Sequence, residues 1–107
     1  MSKPVPVLCI YRPRKGTEDE FLSLVEKHWP TLEKASLVTG EPARVWRGSS
    51  RGGATVFIEL YTWKDADAVQ AAHHTPELMK VWEPMGALCE GNMEFIDVDE
   101  LAMPYTR

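Results

Sequence analysis

The stretch ATVFIELYTW, residues 54–63, constrains the fold of this 107-residue chain more than any other. Its β-branched and aromatic residues read as a strand, whose side chains alternate between two faces. Val56, Ile58 and Leu60 fall on one side, and Thr55, Phe57, Glu59, Tyr61 and Trp63 on the other. Both sides carry large apolar residues, so neither can face water along its whole length. A layer of helices covers only one of them. The other is a large apolar patch of the kind that marks an interface.

The remaining segments supply the helices. VPVLCIYR (5–12) is a short β-branched and aromatic run closed by Pro13, and reads as the first strand. After Gly16, Thr17 and Glu20 have capping-box spacing, with acids in the first turn. Phe21, Leu24, Val25, His28, Leu32 and Ala35 then recur every three or four residues, which is one face of a helix. Trp29 covers the outside of that stripe. Pro30 inside the pattern predicts a kink near His28, and Gly40-Glu41-Pro42 closes the segment. ARVWRGSS (43–50) pairs with 54–63 as a hairpin around SSRGG. KDADAVQAAHH is a short helix. Thr75 caps a second helical piece with Pro76 at its first position, whose apolar face is Leu78, Val81, Trp82, Met85 and Cys89. Gly91 ends it, and NMEFIDVDEL makes the last strand.

The order strand, helix, strand, strand, helix, strand belongs to the α+β class. It predicts a split βαββαβ unit, a four-stranded antiparallel sheet with helices on one face. The uncovered face predicts a homodimer packed sheet against sheet. The length suits one domain over 1–107, with a core at 5–98 and a tail at 99–107.

Composition narrows the partners. A net charge of −4, from 12 Lys and Arg against 16 Asp and Glu, gives no dense basic face for nucleic acid. No stretch approaches the ~20 apolar residues of a membrane span. The N-terminus lacks a signal-peptide core and cleavage site, which predicts a cytoplasmic protein. Cys9 and Cys89 make no disulfide framework or zinc signature and read as buried free thiols.

KGTEDEFLSLV after the first strand, and TVFIELYTWKDADAVQAAHHTPELMKVW, together resemble the dimeric α/β-barrel (ferredoxin-like) superfamily. Within it, the chain is similar to the antibiotic-biosynthesis-monooxygenase-like domains over roughly 5–98. Trp63, Asp65 and Thr75-Pro76 match the aromatic end of the third strand, the acidic helix start and the helix break of that pattern. The resemblance implies an oxidoreductase: a monooxygenase that needs no cofactor and acts on a small phenolic or quinol-like aromatic compound. The alternative is a non-catalytic ligand-binding or stress-response dimer of the same fold. Haem-degrading members are a third possibility. They carry an Asn on the strand with a Trp and a His on the helix, where this chain has Cys9, Ala72 and Trp82 by position, and the three do not fit.

Three histidines are candidates for acid–base chemistry. His28 lies on the apolar stripe and can face a cavity between helix and sheet, or be a core histidine. His73 and His74 are adjacent, so their side chains diverge by ~100° on a helix and cannot chelate one ion together. No metal site is expected, and the pair reads mainly as a junction between helices. Tyr11, Trp46, Phe57, Tyr61, Trp63, Trp82 and Met85 are core residues, or the walls and hydroxyls of a pocket for a small hydrophobic or aromatic ligand. Glu59, alone on an aromatic strand face, needs a partner, and Arg44 or Arg47 on the neighbouring strand is in reach. No nucleophile motif, phosphate loop, or flavin or nicotinamide fingerprint is present.

Overall fold

In a computed structural model, which describes residues 3–103, the elements follow in the expected order. They are β1 (Val5–Tyr11), α1 (Glu18–Lys34), β2 (Arg44–Ser49), β3 (Thr55–Trp63), α2 (Ala66–Ala72), α3 (Pro76–Leu88) and β4 (Glu94–Asp97). The strands form one antiparallel sheet in the order β2-β3-β1-β4. The last strand is shorter than the run 92–101 suggests, and of the tail only 99–103 lies within the described residues.

Local chemistry differs from expectation at both helix starts where the sequence predicts a threonine cap. Thr17 does not cap α1: its hydroxyl donates to the Arg14 carbonyl at 2.7 Å, and Glu18 accepts from the Gly16 N–H. Thr75 does not cap α3 either, because its hydroxyl donates to the Ala71 carbonyl at 2.9 Å. Asp65, by contrast, accepts from the Ala68 N–H at 2.9 Å and starts α2. Pro30 lies inside α1 without ending it. The helix stops at Lys34, before the Gly40-Glu41-Pro42 stretch. Ser36 turns to φ 60 there, and the Leu37 N–H reaches back to the Leu32 carbonyl, satisfying an end carbonyl as a Schellman turn does.

The register sorts the sheet into its two faces, since directly paired residues share a side. Val7, Cys9 and Tyr11 of β1 lie with Phe57, Glu59, Tyr61 and Trp63 of β3 under the helices. Phe21, Val25, His28 and Leu32 of α1, and Leu78, Val81 and Met85 of α3, close this layer. The α1 and α3 helices pack against one another above it. The other face presents Leu8, Ile10, Val56, Ile58 and Leu60, all half-buried. Trp46 and Ile96 extend it, 42% and 43% exposed. No helix among the described residues is long and apolar enough to cross a membrane.

Candidate active site

Under the helices, one cluster of polar side chains is enclosed by the aromatic core. Glu59 sits at the middle of β3 and His28 at the buried face of α1, and neither has exposed surface. The Tyr11 hydroxyl, from the end of β1, donates to Glu59 Oε1 at 2.7 Å. His28 Nδ1 lies 2.8 Å from the same oxygen. On the other side of the ring, the Trp82 indole N–H, from α3, donates to His28 Nε2 at 2.7 Å.

The indole fixes the proton positions. An indole nitrogen only donates, so Nε2 must be the unprotonated, accepting nitrogen. Nδ1 then carries the proton and donates to Glu59. The chain Trp82–His28–Glu59–Tyr11 therefore joins α3, α1, β3 and β1 through three hydrogen bonds, with both outer residues donating inward and the carboxylate receiving two of the three protons. Glu59 Oε2 is buried and has no protein partner among the described residues, and the same holds for the Tyr61 hydroxyl.

Burial governs the neighbouring acids. It raises the Tyr11 phenol well above its usual value, and the Glu59 carboxylate adds to the effect. Tyr61 is raised in the same way, first by burial, then by Cys9 and Glu59. Burial also pushes the Cys9 thiol up to about 12. All three stay protonated near neutral pH, which keeps Tyr11 a donor to Glu59. Cys9 and Cys89 are free and buried.

Of the residues singled out in the sequence, Tyr11, His28, Tyr61 and Trp82 converge. Tyr61 packs edge-on against the His28 ring at 5.4 Å between centroids. Phe57, Trp63 and Met85 lie in the same buried layer. Trp46 does not join them: it pairs with Ile58 on the opposite face, with the Arg44 guanidinium 4.9 Å above its ring. His73 ends α2 on the surface, its ring 5.5 Å from Trp82. His74 beside it is exposed.

The expected pairing of Glu59 with arginine does not occur. Arg44 stands opposite Leu60 and so points away from Glu59, while Arg47 lies over the Phe57 ring at 5.4 Å. Tyr11 and His28 take the role instead. Sequence reasoning misses Glu59 as the hub of the cluster. The signal for it is one acid on a buried strand face and one polar residue on the buried stripe of α1.

His28 has no exposed surface, and it lines none of the principal clefts among the described residues. The cleft of about 590 Å³ between the end of α1 and the start of α3 is lined by Pro30, Thr31, Lys34, Thr75, Glu77 and Lys80, with Ala35 beside them. None of the four residues of the cluster reaches it.

Neither a family model nor a curated protein matches the chain. Solved structures do. A point mutant of SnoaB, a cofactor-independent oxygenase from Streptomyces nogalater, aligns with a TM-score of 0.72 at 16% identity, over 96% of this chain and 99% of that one. An antibiotic biosynthesis monooxygenase gives 0.71 at 12%, over 92% and 99%. A dimeric ferredoxin-like protein of unknown function from Jannaschia gives 0.63 at 16%, over 91% and 99%. At such identities the likeness is one of fold. The chain has the ferredoxin-like fold of the antibiotic-biosynthesis-monooxygenase-like proteins, as the sequence resemblance implies.

Proposed function

We propose that the protein is a cofactor-independent monooxygenase for a small phenolic or quinol-like aromatic compound, with His28 as the base. The observation that carries this reading is the His28–Glu59 pair. It makes the other nitrogen, Nε2, an acceptor, which the Trp82 indole N–H occupies in the structure, and backs the ring with a carboxylate. A phenol placed at Nε2 would pass its proton there. The imidazolium so formed keeps its Nδ1–H on Glu59, which stabilises the new charge, and Tyr11 holds the carboxylate in place. The phenolate is electron-rich enough to give an electron to O2. The sum is phenol plus O2 giving quinone plus water, one oxygen atom entering the ring carbon and the other leaving as water. The aromatic layer keeps bulk water from the anion. The fold of SnoaB, which is a cofactor-independent oxygenase, supports this chemistry.

The apolar sheet face supports a homodimer packed sheet to sheet, the dimeric α/β barrel, as does the dimeric protein from Jannaschia. The free thiols suit a reducing, cytoplasmic setting.

One observation favours a second reading. His28 is enclosed and both its nitrogens are paired, as in a packed, non-catalytic dimer. Oxygen uptake with a panel of naphthols, naphthalenediols and anthrones separates the two. The enzyme reading expects turnover of at least one, and a loss of about 10²-fold or more in kcat/KM for His28→Gln. No uptake above buffer with any of them leaves the packing reading. Undiminished turnover by His28→Gln removes the role assigned to the histidine.

A further inference from the structure

Trp82 is the one member of the buried chain that has a way out. Tyr11, His28 and Glu59 have no exposed surface, whereas Trp82 is half-buried. Its outer neighbours are the exposed His73, at 5.5 Å, and Phe95, at 5.9 Å between ring centroids. Phe95 is 41% exposed and lies on β4, a four-residue edge strand with every residue exposed. Rotation of the indole toward this edge would break its hydrogen bond to His28 and give up part of its packing against the core layer.

We propose that Trp82 is both the gate and the specificity determinant of this site: its indole N–H occupies the position that an aromatic ligand's hydroxyl takes when the side chain swings out. Two features fix the ligand's chemistry. Glu59 holds the His28 proton on Nδ1, so Nε2 accepts only, and whatever replaces the indole there must donate a hydrogen bond. The volume released is that of a fused bicyclic ring, so a bicyclic phenol matches it in both size and donor. An aryl ether of the same ring system brings an oxygen lone pair against the Nε2 lone pair and is rejected. Compounds lacking the donor leave a buried acceptor unpaired, which sites of this kind discriminate strongly. The inference extends the proposed base role of His28, but its test reads binding and involves no oxygen.

The probes are 2-naphthol and 2-methoxynaphthalene, titrated into the ¹⁵N-labelled wild-type protein. With 2-naphthol, the Trp82 indole N–H resonance is expected to leave its hydrogen-bonded position, and its exchange with solvent to quicken at least tenfold. The methyl ether should need at least tenfold more ligand for the same effect, or produce none. Trp82→Phe leaves Nε2 without its donor and should bind 2-naphthol at least tenfold more tightly than wild type, since no hydrogen bond has to be displaced. Equal response to both probes overturns the proposal. So does naphthol binding with the indole resonance unmoved, or no binding by wild type up to the solubility of the probe. Should Trp82→Phe fail to fold, the wild-type titration decides alone. Binding with these signatures but without oxygen uptake keeps the gate and sinks the oxygenase reading.

Discussion

The direction of the hydrogen bonds on Glu59 predicts a change of sign. In the wild type, Tyr11 donates to a buried carboxylate oxygen at 2.7 Å. Hydrogen bonds to a charged group contribute ~1.5–3 kcal/mol each, so Tyr11→Phe, which deletes only the hydroxyl, should destabilise by about that amount. Glu59→Leu keeps much of the volume but leaves the Tyr11 hydroxyl and the His28 Nδ1–H buried with no acceptor. Each orphaned donor costs ~1–3 kcal/mol, or ~2–6 kcal/mol together, offset in part because the carboxylate's own desolvation cost is removed. In that background the hydroxyl has become a liability. Adding Tyr11→Phe to Glu59→Leu should therefore restore ~1–3 kcal/mol. Urea unfolding of the four proteins, followed by far-UV circular dichroism, gives the cycle, and a constant m-value confirms that all four unfold from the same state. If Tyr11→Phe destabilises both backgrounds by the same amount, the hydroxyl is not bound to Glu59 and the network as described is wrong.

Stability should also fall at alkaline pH. Cys9, Tyr11 and Tyr61 are all raised, chiefly by burial, so the folded state holds protons that the unfolded chain gives up near its ordinary values of about 9 to 10. Their contribution is complete below pH about 9 and is lost as pH climbs through the folded values, for Cys9 up to about 12. A melting temperature that stays flat or rises between pH about 9 and 11 would contradict the burial of these groups. At the opposite face, Ile58 stands between Trp46 and Ile10. Ile58→Lys places a charge at the centre of the proposed dimer contact and should convert a dimer to a monomer in sedimentation equilibrium; a monomeric wild type at tens of micromolar would sink the sheet-to-sheet reading.

What the sequence shows of the fold, it shows through periodicity. The alternation from Thr55 to Trp63 separates the two sheet faces correctly, and the stripe Phe21, Val25, His28, Leu32 names the buried side of α1. Cap chemistry is less legible, because a threonine hydroxyl can turn to a preceding carbonyl as readily as to the helix N–H groups. Thr17 and Thr75 both do so. The site is legible residue by residue but not as a set. His28 and Glu59 are 31 positions apart, and Trp82 is 54 from His28. Nothing local in the chain states that three such positions meet. Strand adjacency alone points Glu59 toward Arg44 or Arg47. It fails because cross-strand partners of the same face are set by register, and the register places the apolar Val45 beside Glu59, leaving the helix side to complete the site.

The energetics of that meeting bear on why it exists. A buried carboxylate is costly, and replacing a buried ionic cluster by well-packed apolar residues is often neutral or stabilising by ~1–4 kcal/mol. Leucine at 59, phenylalanine at 11 and an apolar residue at 28 would fill this layer without three directional hydrogen bonds and without an orphaned Oε2. Packing alone does not require the arrangement. The proposed reaction, which must create and hold one positive charge next to an aromatic anion, would make use of it, because the carboxylate is already in place before the proton moves and no solvent has to reorganise. The two readings of the protein then differ in what an apolar triple variant at positions 11, 28 and 59 gives up. It should fold about as stably as the wild type in either case, but if the cluster is functional it loses the 2-naphthol binding that the wild type shows, whereas in the packing reading neither protein binds the probe.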